Sequence, residues 1–215
     1  MKKRVVVLSG AGVSAESGLE TFRDSNGLWA NYRIEDVCTP EALSRDPGKV
    51  LDFYNMRREQ LLRAEPNAAH LALAALEEHF IVNIVTQNID DLHERAGSSS
   101  VLHLHGELLV SRSIKNPHIK VETRGPVKLG DLASDGAQLR PHVVFFGEEV
   151  PELERGAKIV SLADIFIVVG TSLAVYPAAG LVNYVQHGVP CFLIDPNDVK
   201  PSYRMFEHIR KGASE

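Results

Sequence analysis

The sequence predicts an α/β fold: a Rossmann-like parallel sheet flanked by helices, with a small inserted module. Three observations lead there. Short apolar runs without alternation recur at residues 5–8, 80–86, 164–169 and 190–194, as strands buried on both faces of a parallel sheet require. Each run empties into a glycine-rich or polar loop, and helical patterns separate the runs. Between residues 108 and 140 the periodicity breaks at Asn116-Pro117, Gly125-Pro126, Gly130 and Asp135-Gly136, which marks an insertion. The chain therefore reads as one unit, 1–215, with a core from 1–37, 80–106 and 141–215, a helical insertion at 38–79 and a small module at 107–140.

The first run ends in Gly10 and Gly12, which permit a tight turn and close approach to a ligand, and Ser14 opens a helix whose free N–H groups attract anions. Gly10-x-Gly12-x-x-Ala15 is the dinucleotide fingerprint in its Gly/Ala form. An ordinary turn between strand and helix gives the same pattern, so alone it is weak. No second strand with a ribose-binding acid follows; instead comes Thr21-Phe22-Arg23-Asp24, whose aromatic ring and arginine suit a flap over a bound cofactor. Residues 29–37 read as irregular.

Thr39-Pro40-Glu41 and Asp46-Pro47 are helix starts, each a capping side chain followed by proline. A helix over 47–64 puts Val50, Tyr54 and Leu61 on an inward stripe, with Leu51 and Leu62 beside it and Asp52 and Glu59 opposite. Arg57 lies within that stripe, while Arg58 falls on the flank or in solvent. A guanidinium in such a place calls for an anion. Tyr54 shares its face, so a hydroxyl and a planar fork of donors converge in a way that fits a carboxylate. Pairing of Arg57 with a nearby acid is the plainer reading. Asn67 caps the next helix, on which His70 reads as structural or solvated.

The run 80–86 ends in Gln87-Asn88-Ile89-Asp90-Asp91, at a strand's carboxyl end, where open α/β sheets bind their ligands. This cluster should converge with Gly10 and Gly12. Residues 101–105 alternate as a third strand, Leu102 and Leu104 on one face, His103 and His105 on the other. His105, at the strand end, suits acid/base work near neutral pH. Beyond the module, 141–148 reads as a returning strand, 150–163 and 176–187 as helices, and Gly170-Thr171-Ser172 and Asp195-Pro196-Asn197 as strand-end loops.

Composition narrows the function classes. A net charge of −5 and a pI near 6.0 give no basic face for nucleic acid or an anionic membrane. Only two cysteines, Cys38 and Cys191, are present, so a disulfide framework and a thiolate metal cage are both out of reach. A reducing, cytoplasmic setting is expected. The apolar stretch at 5–8 is too short for a signal peptide, and nothing approaches a membrane span.

GAGVSAESGLETFRD, TQNIDDLHERAG, HLHGEL, RPHVVFFGE, GTSLAVYPAAGLV and IDPN, in this order, resemble the sirtuin family of NAD-dependent protein-lysine deacylases over residues 5–213, with 108–139 poorly matched. The resemblance implies NAD as cofactor and acylated-lysine proteins or peptides as partners. It places the pyrophosphate on Gly10, Ala11, Gly12 and Ala15 with Phe22 and Arg23, and the nicotinamide ribose on Gln87 and Asn88. Asp90 would bond the carboxamide, and Gly170, Thr171, Ser172, Asn197 and Ala213 would line the adenosine half. His105 matches the general base and, with Asn88, makes the catalytic pair. Val143, Val144 and Phe145 resemble the edge that pairs with an extended substrate peptide. Tyr54 and Arg57 in FYNMRRE resemble the Tyr-x-x-Arg pattern of bacterial-type sirtuins that remove succinyl and malonyl groups, implying desuccinylase and demalonylase activity beside deacetylase activity. Cys38 stands where similar members often carry alanine, and its thiol would narrow the acyl pocket. Most members bind a structural zinc through two Cys-x-x-Cys pairs; residues 106–141 contain no cysteine, so no metal is expected. Four competing readings are a sensor of NAD or ADP-ribose, an NAD-consuming ADP-ribosyltransferase, a hydride-transfer enzyme, and a metal hydrolase built on His103-x-His105.

Overall fold

The computed structural model describes residues 2–19, 32–197, 199 and 206–215. Six parallel strands form the main sheet: β1 (Arg4–Ser9), β2 (Ile81–Thr86), β3 (Val101–His103), β7 (Ile165–Val169), β8 (Cys191–Ile194) and β9 (Glu207–Ile209), in the order β3-β2-β1-β7-β8-β9. From β1 the chain builds outward on one side and then crosses to the other. The switch point therefore falls between β1 and β7, where strand order reverses and a crevice opens beyond the strand ends. Val5, Val6, Val7 and Leu8 are all buried because β1 has covered faces on both sides. Val6 and Leu8 pack toward Val160, Phe166 and Leu181, whereas Val5 and Val7 pack toward Ala69, Leu73 and Ile84.

The second sheet is antiparallel, with β4 (Gly106–Ser113) between β5 (Lys120–Glu122) and β6 (Leu139–Val143). The returning strand expected at 141–148 thus stops at Val143 and belongs to this sheet, not to the parallel one. The third strand likewise ends at His103, two residues early. Gly106 explains the break: with φ of 82° it turns the chain into β4, and a Cβ there would lie 2.0 Å from the His142 carbonyl oxygen.

Six α-helices are described: α1 (Ile34–Val37), α2 (Pro40–Arg45), α3 (Pro47–Arg63), α4 (Ala68–Ala75), α5 (Leu92–Arg95) and α6 (Leu153–Ser161). Thr39 and Asp46 cap α2 and α3 by accepting the Ala42 and Lys49 amides. Two expected helices are 3-10 turns instead. The segment after the fingerprint is two short turns, Ala11–Val13 and Ala15–Ser17, closed by left-handed Gly18, and the segment expected at 176–187 is a 3-10 stretch at Ala178–Tyr184. Residues 29–31, like Phe22 and Arg23, lie outside the described residues; α1 is a helical turn where 34–37 read as irregular.

Apolar contacts at Leu109, Ile114, Val121, Val127 and Leu132 are the sequence's expectation for how the module is held. Leu109 and Val127 are buried, but Ile114, Val121 and Leu132 are 50%, 45% and 58% exposed. Polar contacts to α3 fill the gap. The Asn55 amide pairs with both backbone groups of Val127 at 2.8 Å, and Arg58 donates to the carbonyls of Leu108 at 3.2 Å and Gly125 at 3.3 Å and to Asn55 at 2.8 Å. Arg58, 1% exposed, is thus the buried guanidinium of α3; Arg57 is half-buried. Carbonyl dipoles meet the charge of Arg58 at Nε and Nη1, while no hydrogen-bond partner of its buried Nη2 is found among the described residues. Metal analysis of the purified protein is expected to find no stoichiometric zinc, with melting unchanged by a chelator. Tightly held zinc whose removal unfolds the chain would refute this.

Candidate active site

A cavity of about 610 Å³ opens over the switch point. Its floor is two interlocked glycine loops. Gly12 N–H donates to the Gly170 carbonyl at 2.8 Å and Gly10 N–H to that of Val169 at 3.1 Å. A Cβ at Gly12 would lie 2.8 Å from Gly170 Cα, and one at Gly170, where φ is 62°, would lie 2.3 Å from the Val13 nitrogen. The fingerprint glycines therefore serve close approach of loop to loop as well as to the cavity.

The end of β2 is tied to the same floor. Gln87 Nε2 donates to Thr171 Oγ1 at 3.0 Å, and Asn88 Nδ2 donates to Ser14 Oγ at 3.0 Å. Ser14 Oγ in turn donates a hydrogen bond to Asp90 Oδ2 at 3.0 Å, while Asp90 Oδ1 accepts the Leu92 amide at 3.2 Å. Burial pushes the Asp90 carboxyl above the ordinary range, against the opposing pull of those two donors. Behind Ser14 stand two fully buried imidazoles, His70 and His93, with ring centres 4.9 Å apart. Burial lowers their pKa values to about 4 and about 3, so both are neutral. His70 also closes the Asn67 capping box, which makes it structural.

His105 is half-buried. Its Nδ1 donates to the Gln87 carbonyl at 3.1 Å, which leaves Nε2 as the acceptor. Burial lowers its pKa, and the Gln87 carbonyl offsets part of the shift. His103 has different partners, the Asn88 carbonyl at 2.9 Å and Glu94 at 2.8 Å. The two histidines do not act as a metal pair, and among the described residues no cluster of three His, Cys, Asp or Glu could hold an ion.

The far wall comes from α3 and the segment after β6. Tyr54 is buried and donates to Cys38 Sγ at 3.4 Å; burial pushes the Cys38 thiol up to about 11. Arg57 lines the cavity with its guanidinium 6.0 Å from the Phe53 ring centre. Val143, Val144 and Phe145 complete that wall, and Val144 N–H donates to the His105 carbonyl at 2.8 Å. Every site residue expected from the sequence and described here lines this one cavity. Ser14, expected only to open a helix, is the hub between Asn88 and Asp90. Its place between Gly12 and Ala15 puts it at the fingerprint loop but gives no sign of its two distant partners.

The sequence pattern of the Sir2 family matches residues 10–177. The chain is a member of the Sir2 family. This sirtuin is 54% identical over 220 residues to a Bacteroides thetaiotaomicron protein called NAD-dependent protein deacylase, covering 99% of this chain and 94% of that one. A crystal structure of a Sir2 homologue in complex with NAD superposes with a TM-score of 0.88 at 43% identity, covering 99% of this chain and 86% of that one. A mutant Sir2 homologue in complex with 2′-O-acetyl ADP-ribose gives 0.88 at 41% identity, covering 99% of this chain and 88% of that one. The sirtuin cavity therefore lies in a fold that in relatives holds the dinucleotide and an acetylated ADP-ribose.

Proposed function

We propose that this sirtuin is an NAD-dependent protein-lysine deacylase that transfers the acyl group to ADP-ribose and releases nicotinamide. The carrying observation is His105, with Nε2 as acceptor, on one cavity with Gln87, Asn88 and Asp90. The interlocked glycines and the buried Asn88–Ser14–Asp90 chain make a polar cradle that fits the cofactor. Bound there, NAD would supply an electrophilic ribose carbon for the acyl oxygen, with nicotinamide as the leaving group. Gly10, Ala11, Gly12 and Ala15 would face the pyrophosphate, while Gly170, Thr171, Ser172, Asn197 and Ala213 would line the adenosine half. Gln87 and Asn88 would orient the ribose and Asp90 would hold the carboxamide. His105 Nε2 would take a proton from a ribose hydroxyl, so that its oxygen could attack the acyl carbon, and addition of a water molecule would then free the lysine amine and leave the acyl group on ADP-ribose. Val143, Val144 and Phe145 offer an edge for an extended acyl-lysine peptide. A cytoplasmic setting suits a chain with only two cysteines and so no disulfide framework.

The test is incubation with NAD and acylated peptides, read by mass spectrometry. Free lysine peptide, nicotinamide and O-acyl-ADP-ribose are expected. Binding of NAD without turnover would favour a sensor, and ADP-ribosylated protein would favour a transferase.

Succinyl and malonyl groups are part of this reading. Tyr54 and Arg57 stand three residues apart on α3 and line the same cavity, which supports a carboxylate at the end of the acyl chain meeting them. Arg57→Met is expected to lower the succinyl-to-acetyl ratio of kcat/KM by roughly 10- to 150-fold, or about 1.5–3 kcal/mol. An unchanged ratio would make Arg57 structural.

A further inference from the structure

Arg140 and Glu148 have no part in the chemistry above, yet they grip the peptide-facing edge, Glu148 at the cavity wall and Arg140 buried beneath it. Arg140, on β6, is 5% exposed. Its guanidinium reaches the Glu148 carboxylate at 2.6 and 3.2 Å, donates from Nη2 to the Val143 carbonyl at 2.9 Å, and lies 3.8 Å from the centre of the Phe145 ring. Glu148 accepts the Phe145 amide at 2.8 Å. Left-handed Gly147, with φ of 91°, lets the chain turn back so that the carboxylate can do so.

The contacts continue to the acyl wall. Phe145 stacks on Tyr54, ring centres 5.6 Å apart and planes 20° apart, and Phe146 N–H donates to the Cys38 carbonyl at 2.9 Å. The Arg140–Glu148 pair, with Arg112 Nη2 also 3.5 Å from the Glu148 carboxylate, thus fixes the backbone of the edge and the ring that packs on Tyr54. A buried ion pair adds little net stability, whereas a planar fork bound to a carboxylate fixes direction. Two backbone groups, Val143 O and Phe145 N, are also withdrawn from any incoming strand, which restricts the register a peptide can take.

We propose that Arg140 and Glu148 are positioning residues for the acylated peptide, setting the shape of the 143–145 edge and the placement of Phe145 against Tyr54. This rests on reading that edge as the peptide site. Glu148→Gln and Arg140→Lys are the variants, the second keeping charge but losing the fork. Peptide KM and kcat would be measured at saturating NAD, and ADP-ribose affinity by calorimetry. In both variants peptide KM should rise about tenfold or more while kcat falls less than about threefold and ADP-ribose affinity holds within about twofold. Unchanged peptide KM in variants that bind ADP-ribose normally would overturn the proposal. So would a parallel loss of ADP-ribose affinity, or failure of both variants to fold, since either makes the pair a general structural support. If one variant alone fails to fold, the other decides. A wild type that consumes no NAD with any acyl peptide would instead strike at the proposed function.

Discussion

Alanine in place of His105 is expected to lower deacylation by roughly 10²–10⁴-fold while the protein stays folded and still binds ADP-ribose. The side chain is half-buried at the rim of the sheet, and its one described hydrogen bond, to the Gln87 carbonyl, is a small loss to the fold. What disappears is the acceptor nitrogen. Burial also holds the imidazole below its ordinary pKa, so it is already neutral at pH 7. As pH falls through that lowered value the ring takes a proton and can no longer act as a base. The acid limb of kcat/KM should therefore lie below about 6.5, the free-histidine value. A limb at higher pH, or near-normal turnover in a folded His105→Ala protein, would remove the assignment.

Gly170→Ala is expected to damage the cofactor site more than any other small change. At φ of 62° an added Cβ is strained, and it would meet the Val13 backbone nitrogen at 2.3 Å. No flexible side chain can yield there, so one whole loop must shift. Thr171, which anchors Gln87, would move with it. A displacement near an ångström can cost on the order of 10²-fold in rate, so kcat/KM for NAD should fall by about that much. Gly188→Ala is the control: its φ is 82°, but nothing lies within 4 Å of the added carbon. It should lose only about 1–2 kcal/mol of stability, measured by urea unfolding, and keep its KM for NAD. Equal behaviour of the two variants would mean the interlock has no role.

Much of this was legible in the chain because the signals were local. The apolar run 5–8 announced a strand covered on both faces, and four polar or glycine loops at strand ends announced where a ligand would sit. Partners distant in sequence were not legible. Ser14 joins residues 74 and 76 positions away, and no local pattern distinguishes that hub from any small helix-opening residue. The stripe put Arg57 inward and Arg58 on the flank or in solvent, yet Arg58 is the buried one, because the inward face of α3 is wide and the choice depended on where the module's carbonyls lie. Strand β9 escaped because Glu207 and His208 break any apolar run, and a strand at the sheet edge needs little apolar surface. The 3-10 turns after Gly10 arise because the neighbouring loop captures the Gly10 and Gly12 amides.

The central position of β1 also has a consequence for how the protein is made. Its two neighbours arrive late: Ser9 bonds Thr86 across 77 positions and Arg4 bonds Asp164 across 160. At about 5–20 residues per second, a ribosome leaves one edge of this strand open for roughly 10–30 s. An apolar strand with an unpaired edge is a template for misassociation, and its long-range pairing slows folding even in free solution. Synthesis thus imposes a delay in which the nascent chain must be shielded, and the strand made first is completed only when β7 has emerged.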